Sequence, residues 1–91
     1  MKYSILIPVY NAVNYIERSI KSALNQKSIY DYEIIICDDG STDKTLSIIN
    51  NFNDDKIKVI KNNINTGGII TRKKLAIESK GEYLVWLDAD D

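Results

Sequence analysis

Two short acidic stretches are the residues of this chain best equipped for chemistry. The first is Asp38-Asp39-Gly40-Ser41-Thr42-Asp43 and the second is Asp88-Ala89-Asp90-Asp91. Asp88 and Asp90 are two apart, so on an extended backbone both carboxylates project to one side. Two carboxylates flanking a small alanine make a hard-oxygen site, of the kind that holds Mg²⁺ or Mn²⁺ together with substrate phosphates. Bare carboxylates repel a diphosphate. A divalent ion removes that conflict and can stabilise a departing phosphate oxygen. The adjacent pair Asp38 and Asp39 places like charges side by side, which is costly unless a ligand or a hydrogen-bond donor faces them. Each stretch also has a plain structural reading. Asp is common in turns, and Ser41, Thr42 and Asp43 suit the cap and first turn of a helix.

Other groups are weaker. Asn65-Thr66-Gly67-Gly68 precedes a helical pattern and can bring backbone N–H groups up to an anion. It matches neither the phosphate-binding GxxxxGK[ST] pattern nor the dinucleotide G-x-G-x-x-G pattern. Arg72 can reach a phosphate from the first turns of that helix, or it can belong to a solvated basic face with Lys73 and Lys74. Tyr10 stands beside Asn11 at a strand end, whereas the other tyrosines read as packing residues. The chain has no histidine and one cysteine. That excludes a histidine base, Ser-His and Cys-His nucleophile pairs, a cysteine zinc site and an internal disulfide. Cys37 reads as a small buried apolar residue.

These side chains must be positioned by alternating strands and helices. Tyr3–Val9, Tyr32–Cys37, Ile57–Ile60 and Tyr83–Leu87 are short apolar runs of strand length, suited to a parallel sheet covered on both faces. Between them, Val13, Ile16, Ile20, Ala23 and Leu24 recur at helical spacing, with Asn11 or Asn14 as cap. A second helix carries Leu46, Ile49 and Phe52. A third, Ile69–Ser79, has a weaker stripe at Ile69, Ile70, Ala76 and Ile77 and ends at Gly81. The fold class is α/β, a Rossmann-like βαβαβαβ parallel sheet with right-handed crossovers. The carboxyl ends of its strands share one rim, where ligands bind at the point at which strand order reverses. Both acidic stretches fall on that rim.

At 91 residues the chain is one small domain or part of one. Its 44% hydrophobic and 27% charged residues suit a globular protein. Twelve basic residues against thirteen acidic ones leave a net charge of −1, so no global field favours nucleic acid or an anionic membrane. No apolar run approaches the roughly 18 residues of a membrane span, and the first residues lack a signal-peptide pattern. Three helices are too few to cover both faces of the sheet. The chain is therefore expected to be the first part of a larger domain, with an under-covered face or an exposed edge able to pair with another copy.

SILIPVYN (Ser4–Asn11), YIERSIKSALNQ (Tyr15–Gln26), YEIIICDDGSTDKT (Tyr32–Thr45), NTG (Asn65–Gly67) with Arg72, and GEYLVWLDADD (Gly81–Asp91) occur in a fixed order. As a set they resemble the nucleotide-binding half of family 2 glycosyltransferases with the GT-A fold, over nearly all of residues 1–91. The resemblance implies a metal-dependent, inverting transfer of a sugar from a nucleotide diphosphate, typically UDP, to an acceptor hydroxyl on a glycan or lipid-linked glycan. It implies that Pro8, Val9 and Tyr10 line the base and ribose, and that Asp39 hydrogen-bonds the base with Asp38 beside it. Arg72 would lie near the base or diphosphate and Asp88 would face the ribose or metal. Asp90 would bind Mn²⁺ or Mg²⁺, with Asp91 a neighbour. The acceptor site and catalytic base of the family lie after the D-x-D. This segment is accordingly expected to be inactive alone, and the crowding of Asp88, Asp90, Asp91 and the terminal carboxylate is expected to weaken its binding of donor and metal. The implied location is cytoplasmic, with membrane association open for a longer protein. The family often has Ala-Arg-Asn-x-Gly where this chain has Thr71-Arg72-Lys73-Lys74-Leu75, and a leucine at the close-packing position should hold the helix outward. A non-catalytic nucleotide-binding or self-assembling module is the competing reading. A phosphoryl-transfer domain would place its key Asp after the first strand, where Pro8-Val9-Tyr10-Asn11 stands instead.

Overall fold

The computed structural model describes residues 2–25 and 31–88. Asp90 and Asp91, with Gln26, lie outside the described residues. The elements are β1 (Tyr3–Val9), α1 (Ile16–Leu24), β2 (Tyr32–Asp39), α2 (Thr45–Asn50), β3 (Ile57–Asn62), α3 (Gly68–Glu78) and β4 (Tyr83–Trp86). All strand pairs are parallel, and the spatial order is β3-β2-β1-β4. The chain lays down three strands in one direction and then returns to the far side of β1. The reversal in order therefore falls between β1 and β4.

The two inner strands are buried on both faces, which is why their sequences are unbroken apolar runs rather than alternating ones. On one face Ile5, Ile7 and Val9 of β1 and Ile34 and Ile36 of β2 pack with Ile16, Ile20 and Ala23 of α1 and Ile49 of α2. On the other face Leu6, Ile35 and Cys37 pack with Leu75 of α3. Leu75 thus seats α3 on the sheet and is fully buried.

The helical stripe expected on α3 is not the one used. Ile69 is 85% exposed and Ile77 71%, and Ile70 is also exposed, whereas Thr71 and Leu75 face the sheet. Apolar residues occur on both sides of this helix, so periodicity could not choose between them. The fit of one leucine between Leu6, Ile35 and Cys37 did. Val13 is exposed and precedes α1 rather than belonging to its buried stripe.

The end of the sheet opposite the rim is pinned by a buried polar knot. The Ser4 hydroxyl donates to Glu33 Oε2 (2.6 Å), which also accepts the Lys80 N–H (2.7 Å). The Gly81 N–H donates to the Ser4 hydroxyl oxygen (2.8 Å). Glu33, though charged and buried, is satisfied by these donors. The knot fixes where α3 turns into β4. All four residues of β4 are exposed, which leaves an open apolar edge beside β1. No helix among the described residues is long and apolar enough to cross a membrane.

A Cβ added at Gly81 would lie 2.5 Å from the Ser4 nitrogen and 2.6 Å from the Tyr3 carbonyl carbon, both backbone atoms of β1. Gly81→Ala is expected to cost about 2 kcal/mol or more by overpacking, read as a lower urea midpoint. An unchanged midpoint would show that the turn into β4 has slack.

Candidate nucleotide site at the strand ends

The rim builds on a difference in strand length. β2 runs two residues past the apolar stretch and includes both Asp38 and Asp39. Adjacent residues on a strand point to opposite faces, so the two carboxylates are separated by the sheet itself. This relieves the like-charge conflict and gives them different work.

Asp39 faces the α3 side and is 4% exposed. Its Oδ1 accepts the Asn62 amide (2.9 Å), the Thr66 N–H (2.9 Å) and the Thr66 hydroxyl (2.7 Å). Its Oδ2 accepts the Gly67 N–H (2.9 Å). Burial pushes the Asp39 carboxyl pKa up. The donors from Thr66, Asn62 and Gly67 together outweigh it and hold the group at about 2, against its ordinary 3.8. Asn62 is itself oriented by Lys74, whose ammonium donates to the Asn62 Oδ1 (2.6 Å). One ionised carboxylate therefore organises the whole loop ahead of α3. Gly40, at φ +73°, allows this loop to close in. A Cβ there would lie 2.6 Å from the Ile64 carbonyl carbon.

Asp38 faces the α1 and α2 side. Its Oδ1 accepts the Ser41 hydroxyl in a very short contact, and its Oδ2 has no partner among the described residues. Asp38 does not line the cleft that Asp39 lines. Ser41 and Thr42 are not helix caps, because α2 begins only at Thr45. They latch the first two loops together instead. The Asn11 N–H donates to the Ser41 hydroxyl (2.9 Å), and the Thr42 N–H donates to Asn11 Oδ1 (2.8 Å). Asn11 takes a left-handed φ of 48° and so serves in the latch rather than as the cap of α1. Asp43 accepts from the N–H and hydroxyl of Thr45 and, held by that hydroxyl first of all, has a lowered pKa. The Thr45 hydroxyl oxygen in turn accepts the Ala12 N–H (2.9 Å).

A cleft of about 490 Å³ lies between these loops, α3 and the end of β4, within the range of small-ligand sites. Pro8, Val9 and Tyr10 line it together with Gly67, Gly68, Thr71 and Arg72, and Asp39 and Asp88 also border it. Six of the seven described residues expected in a site thus come together, and Asp38 does not. Arg72 Nη2 lies 3.1 Å from Asp88 Oδ1, and its guanidinium stands 5.3 Å from the centre of the Trp86 ring. The pair is half-exposed, so it adds little stability. It does fix the position of the arginine and offsets the negative charge of Asp88 facing the cleft.

Asn62 is a residue that sequence reasoning passed over, and Lys74, read there with a solvated basic face, instead orients Asn62. Asn62 follows β3's apolar run directly. An asparagine between the end of that run and a glycine-bearing loop was the available signal. Among the described residues no group of three or more metal-ligating side chains gathers. Asp39 is turned into its loop, which leaves the half-exposed carboxylate of Asp88 as the hard-oxygen donor on the rim. That fits an ion held by one or two carboxylates and completed by phosphate oxygens and water.

The sequence profile of Glycosyl transferase family 2 matches residues 4–91. Hyaluronan synthase of Pasteurella multocida is 44% identical over 91 residues, covering 97% of this chain and 9% of that protein. The UDP-Glc:alpha-D-GlcNAc-diphosphoundecaprenol beta-1,3-glucosyltransferase WfaP of Escherichia coli is 44% identical over 88 residues, covering 97% of this chain and 35% of that protein. S. aureus TarS 1-349 in complex with UDP-GlcNAc superposes with a TM-score of 0.90 at 32% identity, covering 99% of this chain and 27% of that chain. The chain spans between 9% and 36% of the length of the first curated relatives it matches.

Because the folded pKa of Asp39 is depressed, its contribution to stability is full above the unfolded pKa and is lost as pH falls toward 2. The shift corresponds to about 2 kcal/mol. Denaturant titrations from pH 6 to pH 2 should show the wild type losing about that much more stability than Asp39→Asn, which lacks the titrating group. Parallel pH profiles for the two proteins would remove Asp39 as the keystone of the loop.

Proposed function

The chain belongs to glycosyl transferase family 2, and on that basis we propose that it forms the donor-binding part of an inverting sugar transferase that uses a UDP-sugar. The observation that carries this reading is the ionised Asp39 beside a cleft at the reversal point of the sheet. Asp39 Oδ2 accepts one internal hydrogen bond, so it keeps capacity for the imide N–H of a uracil. Pro8 and Val9 supply apolar contact for the base and ribose, and the exposed Tyr10 ring offers a stacking surface. Asp38 acts behind the site, holding Ser41 and through it the latch to Asn11. Arg72 faces the diphosphate, and Asp88 faces the ribose or a metal. Asp90 is assigned to the metal from the sequence alone.

A divalent ion, Mn²⁺ or Mg²⁺, held by Asp88 and Asp90, would neutralise the diphosphate and stabilise the departing phosphate oxygen. The family membership and the names of the relatives support UDP-linked glucose or N-acetylglucosamine chemistry on a polysaccharide or lipid-linked acceptor. The acceptor site and the base that deprotonates it are assigned to sequence following the D-x-D. The location belonging to this reading is cytoplasmic, and the diphosphoundecaprenol-linked acceptor in the name of one relative supports membrane association of a longer protein.

A nucleotide titration followed by amide NMR tests the proposal. UDP with Mg²⁺ is expected to shift the amides of Tyr10, Gly67, Gly68 and Asp88, and AMP to leave them in place. If UDP leaves them unmoved at millimolar concentration, the donor-site assignment fails.

The exposed edge of β4 favours a second reading, in which the chain also self-associates by strand pairing. Light scattering should then report a dimer whose population rises with concentration and falls in Val85→Lys. A monomer at all concentrations discards this reading.

A further inference from the structure

The outer side of α3 combines two features that neither the sheet nor the cleft uses. Thr71 and Leu75 face the sheet, and on the opposite side of the helix Ile69, Lys73 and Ile77 stack in one stripe, each a helical turn from the next. All three are exposed, and the exposed Ile70 and Lys74 flank them. Exposed isoleucines gathered on one helix face mark an interaction surface. The charge is as uneven as the hydropathy. Residues 68–80 carry Arg72, Lys73, Lys74 and Lys80 against Glu78 alone, a net of +3 in a chain whose net charge is −1. Glu78 is engaged by Lys58 of β3 at 2.8 Å, and Lys73 and Lys80 form none of the ion pairs among the described residues. The outer stripe therefore presents isoleucine and positive charge together.

We propose that the outer face of α3 docks on an anionic lipid bilayer. The proposal supplies a surface of this chain for the membrane association named above, and it stands apart from the donor-site reading. The charges are complementary. Isoleucines at such an interface enter the acyl boundary, while the lysine between them stretches its ammonium to the anionic headgroups. Each Lys or Arg near the surface contributes roughly fivefold in affinity. Other occupants fit less well. Burial in an apolar protein core is opposed by Lys73, which stands between Ile69 and Ile77 and would lose its hydration without an acidic partner. Pairing with a second copy through the same face sets like charge against like charge. Single-stranded nucleic acid is held by stacking aromatics, and this stripe has none. The strand β4 is the contrast: its four exposed residues include no basic one, which suits strand pairing rather than a charged surface.

Co-sedimentation with vesicles tests the proposal, using phosphatidylcholine alone and an equimolar mixture of phosphatidylcholine with phosphatidylglycerol. The wild type is expected to bind the mixed vesicles at low salt, to bind phosphatidylcholine about tenfold or more weakly, and to leave the mixed vesicles as salt is raised. The double variant Ile69→Gln, Ile77→Gln and, separately, Lys73→Glu are expected to bind the mixed vesicles about tenfold or more weakly. Their urea midpoints are expected to stay at the wild-type value, because all three side chains are exposed. Val85→Thr on β4 is expected to bind as the wild type does. Failure of the wild type to bind mixed vesicles overturns the proposal. So does undiminished binding by I69Q/I77Q or K73E, and so does equal binding to both kinds of vesicle, which removes the role of charge. A loss in V85T as large as that in I69Q/I77Q moves the contact to β4 and also overturns it. A dimer in light scattering that disappears in I69Q/I77Q, without vesicle binding, assigns the face to a second copy and overturns it as well. The amide shifts induced by UDP read the donor site separately. Shifts retained without vesicle binding overturn the docking face alone, and vesicle binding without the shifts overturns the donor-site reading alone.

Discussion

A single carboxylate at the end of β2 sets the geometry of the rim. Asp39 gathers four hydrogen bonds from Asn62, Thr66 and Gly67, and these are the residues that lead out of β3 and into α3. A loop rich in Asn and Gly has no apolar side chains with which to hold itself, so an ionised acceptor with fixed donors does the holding. The position of α3 over the sheet, and with it Thr71 and Arg72, follows from where this loop is tied. Lys74 extends the same network by orienting Asn62. The group that organises the loop also lines the cleft, so the support of the loop and the floor of the cleft share one side chain.

The second constraint is the two-residue period of the strand. It sends Asp38 and Asp39 to opposite faces, where one ties the first two loops through Ser41 and the other ties the third. Asn11 and Thr42 complete the first of these ties. Three successive strand-end loops are thereby tied by side-chain hydrogen bonds. The contrast with β4 is clear. Its start is pinned by Ser4 and Glu33, but its four residues present an open edge.

The alternation of strands and helices was legible because buried parallel strands are written as unbroken apolar runs. YSILIPV and YEIIIC could be little else, and the family motifs placed residues 8–10, 39, 72 and 88 on one rim. The exceptions have a common cause. Ile69, Ile70 and Ile77 looked like a core stripe, yet Thr71 and Leu75 took that place. A helix with apolar groups on more than one side does not announce its buried side, and that choice depends on the shape of the sheet it meets. Ser41, Thr42 and Asn11 have the chemistry of helix caps, and local sequence cannot reveal that loops some thirty residues apart compete for the same hydroxyls.

The amino-acid sequence alone determined the α/β class, the element order, the family and which acidic residues reach the carboxyl ends of the strands. Those follow from hydrophobic period and motif, which are local. Only the tertiary structure decided that Asp38 and Asp39 part company, that Asn62 and Lys74 stand behind Asp39, and that Thr71 and Leu75 are the side of α3 turned to the sheet. Each of these depends on which face of an element meets which neighbour. That is fixed by packing and by long-range hydrogen bonding among segments far apart along the chain.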